Sequence, residues 1–209
     1  MRVLVACFSM TGNTMQIARA IEQEVSAQGH EVELKEVGEV RAESLNDYDL
    51  VYLGAACHDS DLARPAKQLL NAVPDASAIG DAPSFRLAGF VTHATKMPDE
   101  GERWQALYER WAGACIRTFR RVSEDKQIPF LGFYHCQGAP SAPIEAFIHK
   151  TILTDEREWD AYIAEVRTHP DPDDLANAQA FAARVLQACS QPTLTERVLH
   201  KNGVTPLQT

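Results

Sequence analysis

Apolar positions along this chain fall into two registers. Val3–Phe8, Leu50–Gly54, Leu87–Thr92 and Phe130–Tyr134 are short continuous apolar runs, the mark of buried strands, and Glu31–Val37 alternates polar and apolar residues like an edge strand. Between these runs the apolar residues recur at helical spacing. Ile17, Ala18, Ile21 and Val25 form one such face, and Leu62–Val73 another, with Pro65 tolerated in its first turn. Trp104, Leu107, Tyr108, Trp111, Cys115, Ile116 and Phe119 mark one face of a single long helix. After the fifth strand, Ala142–Ile152 and Glu156–Val166 read as helices. A last helix is capped by Asp171, begins at Pro172 and packs through Leu175, Ala178, Ala182, Val185 and Leu186. Alternating strands and helices predict an α/β fold, a doubly wound parallel sheet with helices on both faces. Residues 1–189 form one domain in this reading. Residues 190–209, with Pro192, Gly203, Pro206 and few apolar positions, form an extended C-terminal segment.

The content of 45% apolar residues in 209 is enough for one domain with a buried core. The net charge of -9 argues against a nucleic-acid partner held on a basic surface. Val3–Phe8 is too short for a membrane helix or a signal sequence core, so no membrane insertion and a cytoplasmic protein are expected. Five scattered cysteines without a CxxC pair fit a reducing compartment rather than a disulfide framework, a zinc ribbon or a thioredoxin-like motif.

The chemistry concentrates just after the first strand. Ser9-Met10-Thr11-Gly12-Asn13-Thr14 offers hydroxyls and backbone N–H groups at the start of a helix, whose N-terminus favours an anion. There is no Gly-Lys-Ser/Thr of a Walker loop and no GxGxxG turn, so a phosphate monoester is the expected ligand. An ordinary capped turn is the plainer reading. A Cys-x5-Arg phosphatase loop is excluded, because the sixth residue after Cys7 is Asn13.

The stretch from Val3 through Ile21 resembles the FMN-binding signature of the flavodoxin family, matching at Ser9, Gly12, Thr14, Ala18 and Ile21. Cys7 stands where that family usually carries an aromatic residue. The resemblance implies a five-stranded sheet of order 2-1-3-4-5. It also implies an FMN phosphate surrounded by Ser9, Thr11, Asn13, Thr14 and the amides from Met10 to Thr14. The isoalloxazine would lie between the segments after strands three and four, here Ala55, Ala56, Cys57 and His58, and His93, Ala94 and Thr95. These segments lack the family's usual stacking aromatic and its glycine- and acid-rich loop.

Cys7, Cys57, His58, His93, His135 and Cys136 all fall near strand carboxyl ends, where they would line a common rim. Pocket lining is favoured over a metal site, since no HxH, HExxH or CxxC pair is present, and Cys7 also suits a small core position. Trp104 is read as packing within its helix, with a fold over the pocket as its secondary role. The leading functional expectation is an FMN-binding carrier passing electrons between protein redox partners, for which an acidic surface suits basic partners. The alternatives are an FMN-dependent NAD(P)H or quinone oxidoreductase using His58 or His93 as proton donor, and a flavin-free binding module.

Overall fold

The computed structural model describes residues 1–74 and 83–190. Each parallel strand, β1 (Arg2–Phe8), β2 (Glu31–Glu36), β3 (Leu50–His58), β5 (Arg86–His93) and β6 (Phe130–Gln137), is separated from the next by helix or irregular segments. β4 (Asp61–Leu62) turns back antiparallel on the end of β3. The sheet order is β2-β1-β3-β5-β6. Without the two-residue β4, the parallel strands follow the predicted 2-1-3-4-5 order, and β4 adds a sixth strand. The C-terminal extension lies outside the described residues except for Ser190, and so does most of the loop that precedes β5.

Helix α1 (Asn13–Ala27) and the last helix, α7 (Pro172–Ser190), cover one sheet face, where Val3, Val5, Tyr52 and Phe90 join Ile17, Ile21, Phe181 and Val185 in one apolar cluster. Tyr52 is fully buried and its hydroxyl donates to the Ala182 carbonyl at 2.9 Å, so the α7 contact satisfies the one polar atom of that ring. On the other face, α2 (Arg64–Ala72) and α4 (Ala114–Asp125) pack Leu70, Phe119 and Val122 on Leu4, Leu53 and Val91. The predicted helical faces of α1 and α7 are therefore the buried ones.

One helix and three strand ends differ from expectation. The predicted long helix is two: α3 (Glu102–Trp111) ends before Ala112–Gly113, and α4 restarts at Ala114. A Cβ at position 113 would lie 2.8 Å from the Glu109 carbonyl oxygen, and glycine permits this tight corner. The 3–4 spacing survives the break, so the pattern could not reveal it. β3, β5 and β6 also run beyond their predicted ends, placing Ala55–His58, His93, His135 and Cys136 inside strands.

Helices α5 (Ala142–Thr151) and α6 (Glu156–Val166) stand off the sheet and form a third apolar cluster of Ile148, Leu153, Tyr162, Ile163 and Val166. They are joined to each other by the His149–Trp159 stack, with centroids 4.5 Å apart, and to α3 by the Arg103–Glu158 ion pair. Tyr162 donates to the Ala94 carbonyl, and Lys96 pairs with Glu165 at 2.6 Å. The two helices are thereby fixed over the segment that leaves β5.

Candidate functional site

Parallel pairing brings three strand ends level: Ala56 is in register with Thr92, and Thr92 with Cys136. The Ser9–Thr14 loop leaves β1 at the same end of the sheet. Gly12 adopts φ +91°, a left-handed conformation that costs an L side chain roughly 1–2 kcal/mol, and nothing crowds the place of its absent Cβ. The first helical bond runs from Gln16 N–H to the Gly12 carbonyl at 3.0 Å, so the amides of Asn13 and Thr14 have no acceptor within the helix. Ser9 Oγ accepts from Met15 N–H at 3.3 Å and draws the loop around the helix N-terminus. Met10 and Thr11 are exposed.

The side chains of two residues expected on the ligand are bonded within the protein. Asn13 donates through Nδ2 to the Ala139 carbonyl at 2.8 Å, tying the loop to the turn after β6. Thr14 is buried, and its hydroxyl bonds the Thr92 hydroxyl at 2.8 Å, linking α1 to β5. Their backbone amides are left without an acceptor inside the helix. The bonds to Thr92 and Ala139 escaped sequence reasoning because they join segments far apart in the chain. Thr14→Val should leave the Thr92 hydroxyl buried without a partner and cost about 1–3 kcal/mol in urea unfolding, most of it recovered in Thr14→Val/Thr92→Val. Equal stability of the two variants would contradict the pairing.

The segment after the third strand is a hairpin, not an open loop. Cys57 pairs with Leu62 and His58 with Asp61 across a two-residue turn, Asp59 and Ser60, at φ 49° and 66°. Ala55 is fully buried beneath it in the core. Ala56 and Cys57 are half-buried, and the Cys57 thiol donates to the Trp111 carbonyl at 3.2 Å. His58 is exposed beside Phe8, 6.1 Å between centroids. Cys7 and Cys136 are buried in the core rather than on a rim, and burial pushes the Cys7 thiol up to about 12.

His93 and His135 do converge. His93 is only 4% exposed, and its Nε2 meets His135 Nδ1 at 2.9 Å. Its Nδ1 lies 3.1 Å from the Thr95 carbonyl oxygen and 2.8 Å from Thr95 Oγ1. Both ring nitrogens are therefore engaged within the protein, which corrects the expectation of a free proton donor at His93. Tyr108 stacks on His135 at 4.8 Å and closes the cluster. Burial, reinforced by the neighbouring imidazole, pushes His93 down to about 3, and burial lowers His135 as well. A histidine that stays neutral when folded but gains a proton when unfolded costs stability as pH falls below its unfolded value near 6.5. Stability should fall on acidification from pH 6.5 toward 3, by up to about 1.4 kcal/mol per pH unit, and His93→Gln should flatten that dependence. Parallel urea-midpoint profiles of wild type and variant would contradict it.

Beside this cluster the hairpin, the Ala94–Lys96 segment, α3, α5 and α6 line a half-open cavity of about 400 Å³. Its walls are chiefly apolar and aromatic, among them Trp104, Trp111, Phe147 and Tyr162, while Cys57, His93 and Thr95 border it from the sheet. Trp104 thus faces the cavity, the role held secondary in the sequence. The i, i+3, i+4 spacing of Ile144, Phe147 and Ile148 on α5 was the missed signal. None of Ser9–Thr14 lines the cavity. At the end of β6, next to His93 in register, buried Gln137 has an Nε2 without a partner among the described residues.

Among the described residues His169, Asp171 and Asp174 form the one cluster with metal-ligand spacing. Asp171 and Asp174 accept each other's backbone N–H at 2.9 and 3.0 Å and His169 bonds Asp174, so the group is a helix cap at the start of α7. No helix of the described residues is long and apolar enough to cross a membrane.

A family model described as flavodoxin domain matches residues 4–108. In three dimensions the chain is similar to flavodoxin 1 of Bacillus cereus, with a TM-score of 0.60 at 15% identity over 90% of this chain and 98% of that one. Flavodoxin 2 of the same organism gives 0.59 at 20% identity over 90% and 99%. The rubredoxin oxygen:oxidoreductase of Desulfovibrio gigas gives 0.58 at 12% identity, covering 90% of this chain and 36% of that larger one.

Proposed function

The chain belongs to the flavodoxin domain family, and from that premise we propose that it binds FMN and moves electrons through it between protein redox partners. The observation that carries the reading is the loop at α1. Left-handed Gly12, the amides of Asn13 and Thr14, unpaired among the described residues, and the hydroxyls of Ser9 and Thr11 fit a phosphate without a basic side chain. FMN bound there would supply reversible one- and two-electron chemistry. Ala56, Cys57 and the half-buried Ala94 and Thr95, at the level strand ends, are the ring contacts in this proposal, with Gln137 Nε2 a donor in need of an acceptor. In this proposal the cofactor draws no proton from His93 or His135, whose rings are bonded to each other.

One observation favours a second reading, an FMN-dependent NAD(P)H or quinone oxidoreductase: α3, α5 and α6 wall a half-open cavity beside the proposed ring contacts, room for a small acceptor that a minimal carrier does not need. The purified protein, supplied with FMN, NAD(P)H and a quinone, separates the two. Reduction only when a separate reductase is added supports the carrier, and steady turnover by the protein alone supports the enzyme. No reduction in either format would remove both and leave the flavin-free binding module.

A further inference from the structure

The cysteines divide between the two faces of the sheet. Cys7, Cys136 and Cys189 belong to the apolar cluster under α1 and α7, whereas Cys115 belongs to the opposite cluster and Cys57 packs against it. Cys57 is also the one cysteine of the five that is not buried, and it borders the half-open cavity, where a small solute reaches it. Cys115, with no exposed surface, is shielded.

The corner between α3 and α4 brings these two side chains together. A continuous helix would send the Cys115 N–H back to the Trp111 carbonyl, but at the break it donates to the Ala112 carbonyl at 3.0 Å. The Trp111 carbonyl accepts instead from the Cys57 thiol at 3.2 Å, so β3 ends on the corner where α4 begins. There the Cys115 thiol lies within hydrogen-bonding reach of the Cys57 thiol, and that neighbour, together with burial, pushes it up and keeps it protonated. An accessible sulfur thus sits against a shielded one, the arrangement in which the first is oxidised and the second resolves it.

We propose that Cys57 and Cys115 form a reversible disulfide when the folded chain meets hydrogen peroxide, a modification site that needs no flavin. The Cys57 sulfur attacks the peroxide: its S–O bond forms as the O–O bond breaks, and the departing oxygen leaves with the thiol proton as water. The Cys115 sulfur then attacks the Cys57 sulfenic acid: the S–S bond forms as the S–O bond breaks, and the hydroxyl group leaves with the Cys115 proton as a second water. The two thiols together lose two electrons, which the one peroxide gains. The crosslink ties the end of β3 to α4 and removes the thiol donor from the Trp111 carbonyl.

The wild-type chain, folded and free of FMN, is treated with hydrogen peroxide, its remaining thiols are blocked with N-ethylmaleimide in urea, and the digest is mapped by mass spectrometry. The expected product has lost two hydrogen atoms, carries a linked peptide joining Cys57 to Cys115, and has maleimide on Cys7, Cys136 and Cys189. Dithiothreitol should restore all five thiols. In Cys115→Ala the link should be lost and Cys57 should stop at the sulfenic acid, which dimedone labels. Cys57→Ala should lose both the link and the label. A wild-type chain that keeps both thiols, or that carries Cys57 on to the sulfinic acid without a link, would overturn the proposal, and so would a link from Cys57 to any other cysteine. These deciding results are read on the wild type, so they stand even where a variant fails to fold.

Discussion

Replacing Ser9 and Thr11 together by alanine should weaken FMN binding by about 10²- to 10⁴-fold. Each hydroxyl is proposed to donate to a phosphate dianion, and a hydrogen bond to a charged group contributes about 1.5–3 kcal/mol, with about 1.4 kcal/mol per factor of ten. The fold should persist, because Thr11 is exposed and Ser9 bonds only the Met15 amide, whose loss resembles that of a helix cap at about 1 kcal/mol. Fluorescence titration of FMN reads the affinity, and urea unfolding confirms that the variant is folded. A folded double variant with wild-type affinity would place the phosphate elsewhere. Asn13→Ala makes an informative contrast: its side chain is spent on Ala139, so the change should act mainly through the position of the turn after β6.

Gly54→Val should be the most damaging single change to the fold. Gly54 sits in β3 between Cys7 and Phe90, and a Cβ there would fall 2.0 Å from the Phe90 ring, itself fully buried. The overlap is with a ring held in a packed core, not with the end of a flexible chain. A loss of about 3 kcal/mol or more is expected, a large part of the usual 5–15 kcal/mol stability of a domain. Gly54→Ala should be milder but still destabilised, and Phe90→Leu in the Gly54→Ala background should recover part of the loss. Unchanged urea midpoints for Gly54→Ala would contradict this packing.

The sheet was legible because buried parallel strands and amphipathic helices have different periods, and the Val3–Phe8 run and the Ile17, Ala18, Ile21, Val25 face kept their periods to their ends. Strand ends were less legible. Cys57 and His58 look like loop residues, yet they continue β3 because Asp59 and Ser60 turn the chain back on it, and no glycine announces that turn. At the candidate site, Ser9–Thr14 is a local motif and could be read. The assignment of Asn13 and Thr14 side chains to Ala139 and Thr92 could not, because those bonds join residues 126 and 78 positions apart. The cavity was half legible: α5 and α6 were predicted, but their seating over Ala94–Lys96 depends on Tyr162 and the Lys96–Glu165 pair, distant partners without a sequence signature.

The measurement that most directly tests the central claim is retention of FMN by the wild-type chain after gel filtration. One FMN per chain should co-elute with the protein, with its visible spectrum shifted from that of free FMN. FMN eluting entirely apart from a folded protein would contradict it.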